Sequence, residues 1–247
     1  MTSPIMKVDG LGIAFGGLKA VDDVSFDVEQ CRVTTVIGPN GAGKSTLFNL
    51  ISGALRPRTG RVLLDGADVT GKSPEAIRAH GLSRSFQITN LFFDAPVREN
   101  LRLAAHVLEA PRRSSLPLSR STRAIAKVDE MIQRFGLEGK ADELAGNLSH
   151  GEQRRLEIAI CLASEPKILL LDEPTQGMSQ SDTEETKELI RSLAKSVTVL
   201  LIEHDVGLVM SISDRVVVMH QGRKLADGDP KSVRSNPAVQ AAYFGHA

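Results

Sequence analysis

The alternation of hydrophobic and polar residues predicts strands in both halves of the chain. Val24, Phe26 and Val28 alternate with polar residues, which is the period of a strand with one buried face. Residues 33–37 are mostly β-branched and lack this alternation, which favours a strand buried on both faces of a sheet. Further apolar runs of strand length follow in the second half, at residues 168–171, 197–202 and 216–219.

Helical spacing dominates the middle of the chain. Apolar residues recur three and four positions apart over 97–108 and 124–135. Strands that alternate with helices indicate a mostly parallel sheet covered by helices. We therefore predict an α/β fold with an N-terminal antiparallel β region. The prediction is a single domain over the whole chain, in which a core of residues 1–87 and 164–247 is interrupted by a helical insertion subdomain at 88–163.

Composition limits the possible classes of function. Of the 247 residues, 41% are hydrophobic and 24% are charged, as in an ordinary globular protein. Lys and Arg together number 30 and so do Asp and Glu, so we do not expect a bulk basic field that holds nucleic acid. No apolar run approaches the ~20 residues that cross a bilayer, and residues 1–6 lack the pattern of a secretory signal. Cys31 and Cys161 form no metal-binding pair, which favours a reducing compartment.

A glycine-rich segment lies between the strand predicted at 33–37 and a helix predicted at 44–51, and it matches the phosphate-binding pattern Gly-x-x-x-x-Gly-Lys-Ser/Thr. Glycines let backbone N–H groups point at a phosphate, Lys44 neutralises terminal phosphates and Ser45 offers a hydroxyl to Mg²⁺. We predict a P-loop NTPase core, and this segment alone leaves kinase, GTPase and ATPase open. The candidate nucleotide-binding residues are Gly38, Pro39, Asn40, Gly41, Ala42, Gly43, Lys44, Ser45 and Thr46.

Polar residues also follow the other predicted strands. Asp172 and Glu173 come directly after the run at 168–171, His204 closely follows the next run, and Gln87 follows a short strand-like stretch. Ligands bind at the carboxyl edge of open α/β sheets. One carboxylate at that edge can hold Mg²⁺, and its neighbour can orient the attacking water. We therefore expect these side chains near the phosphate-binding segment, with His204 within reach of a terminal phosphate.

The start of the helix predicted after Leu148 allows two interpretations. Ser149 and Glu152 have the spacing of a capping box, which is a structural role. The same hydroxyl, the backbone amide of Gly151 and the helix dipole can also bind an anion. The residues alone do not separate these two interpretations.

Together these motifs resemble the nucleotide-binding subunit of ATP-binding cassette (ABC) transporters, in order and spacing over nearly the whole chain. The resemblance implies that residues 38–46 are the Walker A loop, that 148–153 is the signature motif and that ATP and Mg²⁺ are the cofactors. The catalytic residues implied are Lys44, Gln87, Glu173 and His204. The implied Mg²⁺ ligands are Ser45, Gln87 and the Walker B residue Asp172, and Phe15 is the implied adenine-stacking residue.

The resemblance also implies partners and a location. Family dimers are head-to-tail, so Ser149 and Gly151 are expected to act in trans, on the ATP site of a second ATPase subunit that is a copy or a paralogue. The helical insertion is expected to dock two membrane permease subunits, and a solute-binding protein takes part indirectly. The implied activity is ATP hydrolysis coupled to solute transport, at the cytoplasmic face of the inner membrane, with peripheral attachment and no nucleic-acid partner.

Finer features of the sequence narrow the family. Residues 15–21, the Leu-Ser-His-Gly signature and the tail at 236–245 resemble the ATPases of branched-chain amino acid importers, with urea and short-amide importers as the alternative. His150 stands where the usual signature has glycine, and Ser179 stands where the commonest D-loop has aspartate. A less favoured alternative is a cassette ATPase that acts on nucleic acid or ribosomes, which would use the basic residues Arg112, Arg113, Arg120 and Arg123.

Overall fold

A computed structural model of the chain describes residues 3–85, 91–108 and 122–244. The strands of this part are, in chain order, β1 (Met6–Phe15), β2 (Leu18–Val28), β3 (Val33–Ile37), β4 (Thr59–Leu64), β5 (Ala67–Asp68), β6 (Leu82–Arg84), β7 (Ile168–Asp172), β8 (Thr198–Ile202), β9 (Arg215–His220) and β10 (Arg223–Gly228). The α-helices are α1 (Lys44–Ile51), α2 (Pro74–Ala79), α3 (Val97–Ala105), α4 (Thr122–Arg134), α5 (His150–Ala163), α6 (Gln180–Leu193), α7 (Val206–Ile212), α8 (Pro230–Ser235) and α9 (Pro237–Phe244).

The strands form two sheets. The first sheet has the order β2-β1-β4-β5 and is antiparallel throughout. The second has the order β10-β9-β3-β8-β7-β6, and its strands are parallel except for the terminal hairpin of β9 and β10. The predicted N-terminal antiparallel region and the mostly parallel sheet are therefore both confirmed.

The central strands of the second sheet are buried on both faces, as their apolar runs predict. Every residue of β3, β7 and β8 is buried. Leu169 and Leu171 pack into an apolar cluster with α3, α4 and α5. Leu170 and Ile168 point to the opposite face, where a second cluster contains α1 and the antiparallel sheet. The sheet therefore separates these two apolar clusters.

The described part of the predicted insertion is mainly helical. Helices α3, α4 and α5 bury Leu101, Met131 and Leu156 in the same cluster as one face of the second sheet. In α3 and α4 the apolar residues recur at helical spacing and one side of each helix is buried, whereas the second half of α5 is buried nearly all round, at residues 156–159 and 161–163. The division into a core and a helical subdomain remains a prediction.

In the part of the chain that the structure describes, no helix combines the length and apolarity needed to cross a bilayer.

Candidate functional site

The carboxyl ends of neighbouring parallel strands meet at one edge of the second sheet. In that sheet β3 lies beside β8, β8 beside β7, and β7 beside β6. The phosphate-binding segment follows β3, Asp172 ends β7, His204 closely follows β8, and Arg84 ends β6. The structure therefore brings the predicted groups, together with Arg84, which was not predicted, to the edge where open α/β sheets bind ligands. Gln87, predicted from the same logic, lies outside the described residues.

Helix α1 begins in the phosphate-binding segment without a side-chain cap. The residue that precedes it, Gly43, has no side chain that could accept a hydrogen bond from the N–H groups of the first turn. Side chains do cap the starts of α2, α5, α6, α7 and α8, namely Ser73, Ser149, Ser179, Asp205 and Asp229. The uncapped N–H groups and the positive end of the α1 dipole therefore remain available to an anion.

Two glycines of this segment are required by close packing. A Cβ atom on Gly43 would come within 2.3 Å of the carbonyl oxygen of Ala20, and Gly43 has a φ of 98°. A Cβ atom on Gly38 would come equally close, at 2.3 Å, to the carbonyl oxygen of Met219. Any side chain at either position would displace the segment, so these glycines hold the backbone where it can wrap around a phosphate.

Lys44 is folded into the segment and shares its surroundings with the acidic pair. Its side chain is buried, and its ammonium group donates hydrogen bonds to the carbonyl oxygens of Gly38 at 2.6 Å and of Pro39 at 3.2 Å. Burial lowers the pKa of Lys44, while the carboxylates of Glu173 and Asp172 act in the opposite direction. Lys44, the candidate phosphate-binding residue, therefore lies close enough to Glu173 and Asp172 to interact with their carboxylates electrostatically.

Asp172 and Glu173 are consecutive but occupy different surroundings. The side chain of Asp172 is 1% exposed, whereas that of Glu173 is 19% exposed. Glu173 has a left-handed backbone with a φ of 47°, which is uncommon for a residue other than glycine and concentrates at functional sites. Its N–H donates to the carbonyl oxygen of Ile202 at 3.0 Å, which fixes this turn against β8. The two carboxylates can therefore take separate roles.

His204 lies beside this pair, as the sequence predicts. Its Nδ1 atom is 4.0 Å from Oε2 of Glu173 and 3.8 Å from Oε2 of Glu203. The imidazole is 57% exposed, so it is accessible to a ligand at the sheet edge.

The donor atoms at this edge fit a magnesium ion that is bound together with a nucleotide. Asp172 Oδ2 accepts a hydrogen bond from Arg84 at 3.0 Å, whereas Oδ1 is buried and has no hydrogen-bond partner among the described residues. Such an oxygen is costly to bury unless a ligand satisfies it. Mg²⁺ is usually held by one or two carboxylates together with substrate phosphates. In the described part of the chain, no cluster of three or more His, Cys, Asp and Glu residues could hold a metal.

Glu203, for which the sequence motifs predict no role, is completely buried. Glu203 accepts hydrogen bonds from the N–H and the hydroxyl of Thr175, at 3.2 and 2.6 Å, and from the N–H of His204 at 3.1 Å. It thereby connects the end of β8 to the segment after Glu173. The only sequence signal is an acidic residue directly after an apolar run, and this signal does not distinguish a buried carboxylate from an exposed one.

Arg154 is a second residue that sequence reasoning missed. Its guanidinium donates to the carbonyl oxygens of Asp172 at 3.0 Å and Pro174 at 3.2 Å, and to Glu157 at 2.6 Å. Helix α5 is thereby held against the segment that leaves β7. An arginine on a helix gives no local sign of such a contact, so the pattern offered no way to find it.

The capping box predicted at the start of α5 is confirmed. Ser149 Oγ accepts from the N–H of Glu152 at 3.3 Å, and Glu152 Oε2 accepts from the N–H of Ser149 at 2.8 Å. Ser149 and His150 are both exposed at this end of the helix. The side chain of Ser149 therefore caps the helix and is still accessible to a partner subunit, so its role in trans stays a prediction.

Ser179 likewise caps α6, a role that serine and aspartate both fill.

Two other sequence predictions concern the surface. Phe15, at the end of β1, is 50% exposed, so it is not a core residue and its ring is available to a ligand. Within the basic cluster, Arg123 forms an ion pair with Glu165 at 2.9 Å. The other members, Arg112, Arg113 and Arg120, lie outside the described residues.

Comparisons with known proteins agree with this geometry. A family model described as "ABC transporter" matches residues 21–176, and one described as "Branched-chain amino acid ATP-binding cassette transporter" matches residues 223–247. The chain is 44% identical to the high-affinity branched-chain amino acid transport ATP-binding protein BraF of Pseudomonas aeruginosa, over 100% of both chains. It is 42% identical to the corresponding protein LivG of Escherichia coli K12, again over 100% of both.

Solved structures give the same result. The chain is similar to the ADP conformation of an ATP-binding cassette of an ABC transporter, with a TM-score of 0.89 and 32% identity over 99% of this chain and 100% of the other. A nucleotide-free cassette from an ABC transporter has a TM-score of 0.86 and 32% identity, over 98% and 99% of the two chains. The fold predicted for the core is therefore that of these cassettes, and the chain belongs to the ABC transporter family.

Proposed function

We propose that this protein hydrolyses ATP and supplies the energy for an importer of branched-chain amino acids. The observation that carries the proposal is the convergence of Lys44, Asp172, Glu173 and His204 at one sheet edge, next to an uncapped helix start. The match of residues 223–247 to a branched-chain amino acid transporter model, and the names of the full-length relatives, support the class of solute.

Each group at the edge takes a role that suits its surroundings. Lys44 and the N–H groups at the start of α1 bind the phosphates, and the exposed ring of Phe15 stacks on adenine. Glu173, which is partly exposed, orients the attacking water and accepts its proton. His204, whose Nδ1 lies 4.0 Å from Oε2 of Glu173, reaches the terminal phosphate.

Ser45 and Asp172 would hold Mg²⁺, together with Gln87, as the resemblance to ABC transporter subunits implies. When bound, Mg²⁺ neutralises charge that develops on the phosphate oxygens. Oδ1 of Asp172, which has no hydrogen-bond partner among the described residues, and the exposed position of Ser45 support this ligand set. Arg84 occupies the other oxygen of Asp172, so the carboxylate offers the ion one side only.

A groove of about 440 Å³ beside α3 and α5 is the proposed docking site for a permease segment. Its walls combine apolar side chains such as Leu91 and Ile160 with the charged groups of Glu75 and Arg78. Leu103, which lines the groove, is 39% exposed and adds apolar surface that a bound segment would cover. A short amphipathic segment of a membrane permease fits this mixture, and it would hold the protein peripherally at the cytoplasmic face of the membrane.

Reconstitution tests the proposed function. The protein would be purified with the permeases that accompany it and placed in proteoliposomes with the associated solute-binding protein. We expect leucine, isoleucine or valine to stimulate ATP hydrolysis and to accumulate in the direction of import, because binding of solute is coupled to hydrolysis through the permeases. Stimulation by urea or short amides alone would move the proposal to that solute class, and stimulation by DNA or ribosomes in the absence of permeases would refute it.

A pair of substitutions at Ser149 separates its two roles. Ser149→Asp keeps an N-cap acceptor but places a negative charge at the exposed start of α5, whereas Ser149→Ala removes the cap. We expect Ser149→Ala to lower the free energy of unfolding by about 1 kcal/mol. We expect Ser149→Asp to leave the unfolding temperature unchanged and to lower ATP hydrolysis at least tenfold, since it repels the phosphates of a partner's ATP.

Thermal unfolding and steady-state ATPase assays of both variants measure these effects. Ser73→Asp, at the capped start of α2, provides a control that adds the same charge to another capped helix. Full hydrolysis by Ser149→Asp would mean that Ser149 serves α5 alone and that the trans role is wrong.

A further inference from the structure

Arg84 makes a set of contacts that the proposed reaction does not use. It ends β6, the outermost strand of the second sheet, and its side chain is only 16% exposed. One guanidinium nitrogen, Nη1, donates to Asn49 Oδ1 at 2.7 Å and to Ser52 Oγ at 2.9 Å. The other, Nη2, donates to Asp172 Oδ2 at 3.0 Å. The guanidinium carbon also lies 5.9 Å from the centroid of the Phe48 ring.

These contacts set the orientation of the Asp172 carboxylate. The side chain of Asp172 is 1% exposed, and a carboxylate buried to this degree needs an opposite charge or a strong hydrogen bond. Arg84 supplies both through Oδ2 and leaves Oδ1 without a partner among the described residues. Because the guanidinium is planar and its N–H directions are fixed, it restricts rotation of the carboxylate more than a lysine ammonium would.

The same guanidinium connects this carboxylate to helix α1. Asn49 lies four residues after Ser45 and Ser52 lies seven after it, so the three side chains share one face of the helix. Arg84 binds two of the three and also binds Asp172. It therefore joins the helix face that carries the candidate metal-binding hydroxyl to the strand that carries the candidate metal-binding carboxylate.

We propose that Arg84 is a positioning residue for the magnesium site, since it holds Asp172 and the Ser45 face of α1 in the arrangement that binds the ion. The proposal rests on the proposed function, which names Ser45 and Asp172 as ligands. Arg84 itself does not touch the ion or the nucleotide. It also lines the groove proposed for the permease, so a permease segment bound there would contact the residue that sets the magnesium site.

The test compares nucleotide binding with and without the ion. Affinity for a fluorescent ADP analogue is measured in EDTA and across a Mg²⁺ titration, which requires no hydrolysis. We expect Arg84→Met and Arg84→Lys to raise the Mg²⁺ concentration for half-maximal effect at least tenfold and about threefold respectively. We expect affinity in EDTA to stay within about twofold, because Lys44 and the loop remain intact. Arg84→Lys keeps a cation beside Asp172, so it carries the test if Arg84→Met does not fold.

Two further variants control for a merely structural role. Arg215→Met breaks a bidentate pair with Asp227 in the same sheet, at 2.7 and 3.0 Å, and is expected to lower the unfolding temperature without changing the Mg²⁺ dependence. Asn49→Ala removes one contact of Arg84 on α1 while leaving Asp172 paired, and is expected to shift the Mg²⁺ dependence in the same direction as Arg84→Lys.

Asp172→Asn separates this inference from the proposed function. If Asp172→Asn weakens the Mg²⁺ effect but Arg84→Lys and Asn49→Ala leave it within twofold of the unmodified protein, the positioning role of Arg84 is wrong and the metal assignment stands. If Asp172→Asn has no effect either, the assignment of Asp172 as a magnesium ligand fails. An equal change in EDTA and in Mg²⁺ for the Arg84 variants would indicate general damage to the nucleotide site and would also overturn the inference.

Discussion

Glu173→Gln is expected to lower the rate of ATP hydrolysis by about 10²–10⁴-fold, the usual contribution of a positioned general base. Glutamine keeps the length and shape of the side chain but cannot accept a proton from water. Its effect on ATP affinity is expected to be small or favourable, because the substitution removes a negative charge that faces the same region as Lys44. Single-turnover phosphate release and equilibrium ATP binding measure the two effects separately.

A remote glutamate provides the control for this substitution. Glu188 on α6 is 61% exposed and pairs with Arg191 at 2.7 Å, so Glu188→Gln removes the same charge without touching the sheet edge. Hydrolysis by Glu188→Gln should remain within twofold of the unmodified protein. Turnover of Glu173→Gln close to normal would remove Glu173 from its assigned role and leave another group, for which His204 is the nearest candidate, to orient the water.

The local part of the site could be predicted from the sequence because each motif carries its own structural context. The strand at 33–37, the glycines and the helix at 44–51 are contiguous, and the structure has β3 and α1 with those bounds. The Ser149 capping box depends on residues three positions apart and is equally local. The start of α6 at Gln180 is local in the same way, because Ser179 directly before it accepts a hydrogen bond from the N–H of Asp182.

The contacts that organise the site could not be predicted, because they join residues distant in the chain. Arg84 and Asp172 are 88 positions apart, and Thr175 and Glu203 are 28 apart. Charged residues at strand ends occur in both exposed and buried settings, so composition and periodicity give the same pattern for either. Whether such a residue is buried or exposed depends on which strand lies beside it. The order β8-β7-β6 follows from three-dimensional packing, which no single segment of the sequence encodes.

Lys44→Ala is expected to weaken ATP binding itself, in contrast to Glu173→Gln. A hydrogen bond to a charged group contributes about 1.5–3 kcal/mol, so loss of the ammonium should raise the Kd for ATP by roughly 10–100-fold. Lys167→Ala, which removes an exposed lysine paired with Asp65, is the matched control and should leave the Kd unchanged. Isothermal titration of each variant with ATP and ADP measures the effect.

The pH dependence of ATP binding gives an independent test of the same residue. Burial lowers the pKa of Lys44 below that of an ordinary lysine, and only the charged ammonium attracts phosphate. ATP affinity of the unmodified protein should therefore fall as pH rises through that lowered pKa, at a less alkaline pH than an exposed lysine would give. Lys44→Ala should lack this fall, because alanine does not titrate. If Lys44→Ala kept both its ATP affinity and the alkaline decline of that affinity, the phosphates would have to bind elsewhere. The grouping of Lys44, Asp172, Glu173 and His204 at one sheet edge would then no longer support ATP hydrolysis at that edge.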